Sequence, residues 1–136
     1  MRVCLDTNVL IAAFATRGLC SDVLRTVLTE HELVLGDVII TELRRNLKSK
    51  LRLPENQVAA IEAVFSAIDL VPKPAEVMDT PIRDRADRWI LATAVAGDAD
   101  VLVTGDDDLL SAAASAPIPI VSPRAFWELL RTGANG

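Results

Sequence analysis

Acidic side chains stand directly after two strand-like segments of this sequence, where they are placed to do chemistry together. Asp6 ends the apolar run RVCLD, and Asp106, Asp107 and Asp108 follow the apolar run DVLVT. Neighbouring carboxylates raise one another's pKa, so a chain that collects them needs a compensating positive charge. Mg²⁺ and Mn²⁺, which prefer hard oxygen ligands, supply such a charge. The pattern therefore predicts a metal site that includes Asp6 and Asp106.

Other polar residues are spaced so that they can join the same site. Two more acids lie in segments with helical periodicity, Glu42 in ITELRR and Asp87 in DRADRW, and Asp84 lies one turn before Asp87 on the same helix face. Neutral groups suited to orienting carboxylates and water stand beside the strand ends, namely Thr7, Asn8 and Thr104.

Each acid also has an ordinary structural explanation. An aspartate after a strand is a common helix N-cap, which fits Asp6 and Asp106 as well as metal binding does. Asp107 lies in the first turn of a predicted helix, where a negative charge favours the helix dipole, and we assign it no further role. Glu42 alone fits a solvated helix surface, and the acids of DRADRW alternate with arginines, as on a charged face with weak ion pairs.

The composition argues against several other chemistries. The single histidine, His31, lies in the polar segment TEHEL, so a Ser-His-Asp mechanism has little support. Cys4 and Cys20 show neither a disulfide framework nor metal-ligand spacing, and Cys4 fits a small buried apolar residue. The net charge of −5 argues against bulk nonspecific nucleic-acid binding, although the distribution of charge matters more than its total.

The length of 136 residues suits one hydrophobic core. We therefore expect a single domain over residues 1–136, with residues 131–136 as a flexible tail. No apolar run approaches the roughly 20 residues of a membrane helix. MRVCLD lacks a signal-peptide core, so the expected location is the cytoplasm, with no membrane partner.

Strand and helix patterns alternate along the chain. Strands are predicted at 2–6, 32–36, 100–104 and 117–121, with a brief one at 69–71. Helices are predicted at 9–14, 20–30, 38–51 with Asp37 as N-cap, 54–68, 84–97 with Gly97 as C-cap, 107–114 and 123–131. Such alternation implies a mostly parallel sheet covered by helices on both faces. Ligands bind such sheets beyond the carboxyl ends of the strands where the strand order reverses, and there Asp6 and Asp106 would share one crevice.

Four segments together resemble the PIN domain, in particular bacterial PIN proteins that are toxins of toxin-antitoxin pairs, related to VapC-type toxins. The segments are LDTNVLIAAF, ITEL, DRADRWILATAVAGDADVLVTGDDDLL and IPIVSPRAFWELL, and the resemblance spans Arg2 to Leu130. It implies an α/β fold, a PIN-like three-layer sandwich with a central, mostly parallel sheet covered by helices.

The resemblance also implies a metal-dependent ribonuclease in which water attacks the phosphodiester in line and leaves a 5′-phosphate and a 3′-hydroxyl. The residues that match the catalytic acids are Asp6, Glu42, Asp87 and Asp106. Asp108 matches an acid found in many members, so Asp6, Asp87, Asp106 and Asp108 are the expected ligands of Mg²⁺ or Mn²⁺, and Glu42 either ligates the ion or positions the water. The implied partners are an RNA substrate, a small antitoxin that covers the crevice, and a second copy of the chain in a homodimer.

The third acidic segment departs from the family pattern. Members of this subgroup often read DPDDNKF where this chain has DRADRWI, so Ala86 replaces an acid, and Arg88 and Trp89 replace smaller or more polar residues. We therefore expect Asp84 to assist Asp87, and Arg88 either to clamp a substrate phosphate or to pair with the acids.

A basic segment begins two positions after Glu42. The segment RRNLKSKLR at 44–52 contains no acid, and we expect Arg44, Arg45 and Lys48 to guide RNA phosphates into the site. A solvated helix face explains the same pattern equally well.

Three other functions fit parts of the sequence. Haloacid-dehalogenase phosphotransferases place two aspartates one residue apart after the first strand, but Asn8 occupies the second position here. Response-regulator receivers carry a lysine after the last strand, where this chain has VSPR. The stronger rival is a PIN fold that serves as an RNA- or protein-binding module with weak or no catalysis, whose binding would survive loss of the acids.

Overall fold

The computed structural model describes residues 1–77, 82 and 84–132. The elements follow one another as β1 (Arg2–Leu5), α1 (Thr7–Ala15), α2 (Leu19–Glu30), β2 (Glu32–Val34), α3 (Asp37–Ser49), α4 (Glu55–Val64), α5 (Arg85–Ala96), β3 (Val101–Val103), α6 (Asp107–Ser111), β4 (Ile120–Val121) and α7 (Pro123–Arg131). A short 3₁₀ helix, Ala113–Ser115, lies between α6 and β4.

The four strands form a parallel sheet in the order β2-β1-β3-β4. From β1 the chain proceeds to β2 on one side and later returns to β3 on the other side, so the strand order reverses between β1 and β3. Leu5 pairs with Val103, which aligns the carboxyl ends of these two strands. The predicted α/β three-layer architecture is confirmed, and the strands before Asp6 and Asp106 are neighbours.

The two central strands are apolar because helices cover the sheet. Val3, Cys4 and Leu5 of β1 are fully buried, as are Leu102 and Val103 of β3. A strand buried on both faces has a continuous apolar run instead of an alternating one, which is the pattern that both segments show. The pairing of these buried strands places the two strand ends side by side.

Helix α4 is shorter than its apolar periodicity predicts. The predicted helix at 54–68 ends in the structure at Val64, and Phe65 forms the C-cap. Phe65 is buried and meets Phe14 of α1 edge to face, with ring centroids 6.0 Å apart. This contact between distant residues accounts for the end of α4 at Val64. The spacing of apolar residues does not predict it.

The start of α3 also differs from the prediction. Gly36, not Asp37, is the N-cap, and the predicted strand at 69–71 is reduced to a single parallel bridge between Gly36 and Val71. A Cβ atom at Gly36 would clash with Cγ2 of Thr93 on α5. Glycine is required here because the backbone passes close to α5.

The C-terminal third keeps the predicted order with shorter elements. The helix predicted at 107–114 divides into α6 and the 3₁₀ helix, and the strand predicted at 117–121 contains only Ile120 and Val121. Pro117 and Pro119 lack the N–H groups that a longer strand would donate. Of the tail predicted at 131–136, Arg131 ends α7 and residues 133–136 lie outside the described part of the chain.

Gly97 is the C-cap of α5, as predicted. Among the described residues, no helix has both the length and the apolar character needed to cross a bilayer.

Candidate metal centre

An acidic cleft of about 260 Å³ opens at the carboxyl ends of β1 and β3, where the strand order reverses. Its lining includes five of the acids singled out in the sequence, which are Asp6, Glu42, Asp84, Asp87 and Asp106. They come from the end of β1, from α3, from the start of α5 and from the segment after β3. The fold thus brings together residues that are far apart in sequence, at the position where open α/β sheets bind ligands.

Asp6 is fixed by two hydrogen bonds at the base of this cleft. Its Oδ1 accepts from the backbone N of Thr7 at 2.6 Å, and its Oδ2 accepts from Oγ1 of Thr104 at 2.6 Å. Burial raises the pKa of Asp6 to about 6, with smaller contributions from the negative charges of Glu42 and Asp106, while the two hydrogen bonds oppose the rise. Asp6 is also the N-cap of α1, so its capping role and its place in the acidic cleft coexist.

Thr104 connects the two strand ends through one hydroxyl group. The side chain is fully buried, and Oγ1 accepts from the backbone N of Asp106 at 3.0 Å while it donates to Asp6. The relative placement of Asp6 and Asp106 therefore depends on this hydroxyl, consistent with the supporting role expected for Thr104.

Replacing Thr104 with valine should lower the free energy of unfolding by about 1.5–3 kcal/mol, because the nearly buried carboxylate of Asp6 loses a charge-assisted hydrogen bond. Thr104→Ser keeps the hydroxyl and should recover most of that loss. Denaturant unfolding of the three proteins measures the difference. A loss in the serine variant with none in the valine variant would show that the methyl group, not the hydroxyl, is what matters.

A tight group of carboxylates lies at the wall of the cleft formed by α5 and α6. Carboxylate oxygens of Asp87, Asp106 and Asp108 all lie within 4.8 Å of one another. Asp106 is the N-cap of α6, with Oδ1 accepting from the backbone N of Asp108 at 2.8 Å and of Leu109 at 3.3 Å. The short α6 helix therefore holds Asp106 and Asp108 side by side and presents both to Asp87.

Asp87 is the most perturbed of these acids. Burial raises its pKa to about 7, and the negative charges of Asp106, Asp84, Asp6 and Asp108 add to the rise. Its Oδ2 atom is buried and has no hydrogen-bond partner in the described part of the chain. An unpartnered buried carboxylate oxygen is costly, and its presence calls for a proton or a cation at this point.

The residues present fit a divalent cation. The group offers only hard oxygen donors from converging carboxylates, the ligand set that Mg²⁺ and Mn²⁺ take. The fourth expected ligand, Asp6, lines the same cleft but does not belong to the group within 4.8 Å. Its oxygens already accept from Thr7 and Thr104.

The remaining supporting residues lie at the same edge of the sheet. Asp84 is exposed, is the N-cap of α5 through a 2.8 Å bond from the backbone N of Ala86, and lines the cleft near Asp87. Asn8 is exposed and also lines the cleft. Thr7 is buried, and its hydroxyl has no partner among the residues described, so its visible contribution is the backbone N–H donated to Asp6.

Two of the basic residues on α3 pair with acids of α4. Arg44 pairs with Glu62 at 2.6 Å and with Glu55 at 2.9 Å, and Lys48 pairs with Glu55 at 2.7 Å. These residues thus face α4, and their charges are already matched there. This pairing depends on the packing of α3 on α4, which the local run of basic residues does not reveal.

Arg88 has a structural contact that the sequence did not indicate. Its Nε donates to the backbone oxygen of Ile82 at 2.5 Å, which ties the guanidinium to the chain that precedes α5. Arg88 is not among the residues that line the acidic cleft.

Two polar residues that line the acidic cleft were missed in the sequence. Asn46 and Lys50 line the acidic cleft together with Glu42. The three residues are spaced by four along α3 and its C-cap, so helical periodicity places them on one face and was the signal available to find them. Lys50 is the basic residue of this segment that borders the acids.

Comparisons with known proteins identify the family and the fold of this chain. Residues 2–108 match the family described as the PIN domain. A search of curated proteins gives no significant match. Among solved structures, a chain of VapBC2 from Rickettsia felis, bound to a DNA fragment from their promoter, superposes with a TM-score of 0.66 at 17% sequence identity. The superposition covers 90% of this chain and 98% of that chain.

Proposed function

Because this chain belongs to the PIN domain family, we propose that it is a ribonuclease that depends on Mg²⁺ or Mn²⁺ and acts as the toxin of a toxin-antitoxin pair. The observation that carries the proposal is the convergence of Asp87, Asp106 and Asp108 beside the hydrogen-bonded carboxylate of Asp6 at the edge where the strand order reverses. Helix capping accounts for the presence of Asp6 and for that of Asp106. It does not account for the buried Oδ2 of Asp87, which has no hydrogen-bond partner among the described residues.

The residues of the cleft suit phosphodiester hydrolysis. Asp87, Asp106 and Asp108 would hold the divalent ion, which when bound acidifies water and neutralises phosphate charge. Asp6, oriented by Thr7 and Thr104, would fix the position of the water molecules beside that group.

Glu42 stands on α3 at another side of the cleft, from which its carboxylate would accept a proton from the attacking water or orient that water. No histidine is needed, and His31 lines other cavities of the chain.

The remaining parts of the proposal concern partners and location. The likeness in fold to a chain of the VapBC2 complex supports an antitoxin partner, and the proposal has a small antitoxin cover the acidic cleft. The proposal also includes a homodimer and a cytoplasmic site of action. Leu28 of α2 and Leu129 of α7 are exposed apolar side chains on two helices that contact each other, and they offer surface for a protein partner.

RNA cleavage by the purified chain tests this function directly. Single-stranded RNA should be cut in Mn²⁺ or Mg²⁺, remain intact in EDTA, and be cut again when excess metal is restored. An Asp106→Asn protein prepared in parallel controls for contaminating nuclease. RNA binding without cleavage, unchanged in that variant, would identify a binding module instead of an enzyme.

Two lysines, Lys48 on α3 and Lys50 at its C-cap, give a matched pair of substitutions that tests where the RNA binds. Lys50→Ala should weaken RNA binding about three- to tenfold at low salt and reduce its salt dependence by about one phosphate contact, because Lys50 borders the acidic cleft. Lys48→Ala should change binding less, because Lys48 is paired with Glu55. Filter binding over a range of salt concentrations measures both, and a larger effect at Lys48 would contradict this path.

A further inference from the structure

A second cleft, of about 300 Å³, lies next to the acidic one and has a different character. Glu42 and Ala86 line both clefts, so the two meet along the face where α3 approaches α5. The second cleft adds an aromatic ring, Trp89, and two basic side chains, Arg45 and Lys73. An aromatic face combined with positive charge is the pattern that binds single-stranded nucleic acid.

The indole ring of Trp89 opens onto this cleft. Trp89 is half-buried on α5, two residues after Asp87, and Nζ of Lys73 lies 4.5 Å from its ring centroid. Both residues line the cleft, so a base would reach this ring face once the flexible Lys73 side chain moves aside. A flat π surface is thus available close to the candidate metal ligands.

The basic residues of this cleft differ from their neighbours on α3. Within the described part of the chain, Arg45 and Lys73 form no ion pair, whereas Arg44 and Lys48 are paired with acids of α4. Arg45 lies three residues after Glu42 and is exposed. The cleft also contains the acids Asp37 and Glu42, and Arg45 and Lys73 are the basic side chains among its lining residues.

We propose that this second cleft binds the nucleotide adjacent to the phosphate being cleaved, with its base stacked on Trp89 and its phosphate contacted by Arg45 and Lys73. The proposal rests on the proposed function and adds a subsite for the RNA substrate. Every base has a π face, so stacking holds RNA with little dependence on sequence. The flexible stem of Lys73 allows its ammonium to move from the ring to the phosphate when the base arrives.

The composition of the chain provides a direct reporter for this contact. The sequence contains two tryptophans, Trp89 and Trp127, and no tyrosine. In a Trp127→Phe background, Trp89 is therefore the sole indole, and its fluorescence reports on its own ring. Trp127 lies on α7 and lines a separate cavity with His31.

The experiment titrates the Trp127→Phe protein with a single-stranded oligoribonucleotide of about eight nucleotides in EDTA, so that cleavage does not contribute. Fluorescence should be quenched on binding, and an abasic oligonucleotide of the same length should quench much less. Trp89→Ala in the wild-type background should weaken binding about tenfold, and Trp89→Phe should recover part of that loss. Lys73→Glu should weaken binding, whereas the matched charge reversal Arg25→Glu should not, because Arg25 lines neither cleft.

The outcomes separate this subsite from the metal centre. Equal quenching by the abasic oligonucleotide, or unchanged RNA binding by Trp89→Ala, would overturn the subsite, as would an effect of Trp89→Ala confined to binding of a protein partner. The rise in melting temperature caused by Mn²⁺ should persist in Trp89→Ala and Trp89→Phe, which shows that both are folded around an intact metal centre. If the wild-type chain neither cleaves RNA nor binds metal, the proposed function is refuted instead.

Discussion

The Asp106→Asn protein should lose metal-dependent RNA cleavage by at least about a hundredfold, because charge neutralisation by a bound divalent ion is worth several kcal/mol in the transition state. The substitution removes one negative charge from the group formed with Asp87 and Asp108. Asparagine is as good an N-cap as aspartate, so α6 should remain capped by the residue at this position. Rates of RNA cleavage at saturating Mn²⁺ measure the effect.

The adjacent residue offers a matched control. Asp107→Asn makes the same chemical change one position away, in an exposed residue of the first turn of α6. Asp107 is not part of the group within 4.8 Å, so its substitution should leave cleavage within about twofold of the wild-type rate. Equal loss in the two variants would mean that the total acidity of the segment, and not the geometry of Asp106, determines activity.

The Asp87→Asn protein should be more stable than the wild-type protein at pH 8 when metal is absent. The folded-state pKa of Asp87 is about 7, against an ordinary value of 3.8. Between these two pH values, the folded chain keeps the carboxyl proton of Asp87, whereas the unfolded chain has released it. The free energy of unfolding therefore falls as the pH rises through this window. Above about pH 7 the folded chain bears the full cost of the buried negative charge of Asp87. Asparagine carries no charge, so it removes this cost.

We expect this gain to be roughly 1–2 kcal/mol after allowance for solvent screening, or about 5 °C in melting temperature. Thermal unfolding in EDTA at pH 4 and pH 8 measures it, and the difference between the variants should be small at pH 4. Mn²⁺ should raise the melting temperature of the wild-type protein but not that of Asp87→Asn, because binding to the folded state alone stabilises it. A variant that is less stable at pH 8 would show that the carboxylate is satisfied without metal.

The position of the acidic site follows from topology: the sequence predicts the strands and the acids that follow them, and the structure supplies the pairing of β1 with β3. Apolar runs at 2–5 and 101–103 read as buried parallel strands, and carboxylates that follow neighbouring parallel strands must share one edge of the sheet. Glu42 and Asp87 lie in predicted helices, and both acids were assigned to the site at this edge. The link through Thr104 could be suggested from its residue type, but the two hydrogen bonds it makes depend on the final register of β1 and β3.

The sequence was insufficient wherever a contact between distant segments decides the outcome. The run of basic residues on α3 does not reveal that α4 supplies Glu55 and Glu62, which pair with Arg44 and Lys48. The prediction for the end of α4 failed because Phe65 packs on Phe14. Trp89 looked only like a departure from a family pattern, and its role as the wall of a second cleft depends on where α3 and Lys73 lie.

Calorimetric titration of Mn²⁺ into the wild-type, Asp106→Asn and Asp107→Asn proteins tests the central claim most directly, with RNA cleavage assayed on the same samples. Saturable binding is expected for the wild-type and Asp107→Asn proteins, together with cleavage, and both properties should be lost in Asp106→Asn. Equal binding in all three proteins, or no binding in any of them, would contradict a metal centre built on Asp87, Asp106 and Asp108 and would reduce Asp106 to a helix cap.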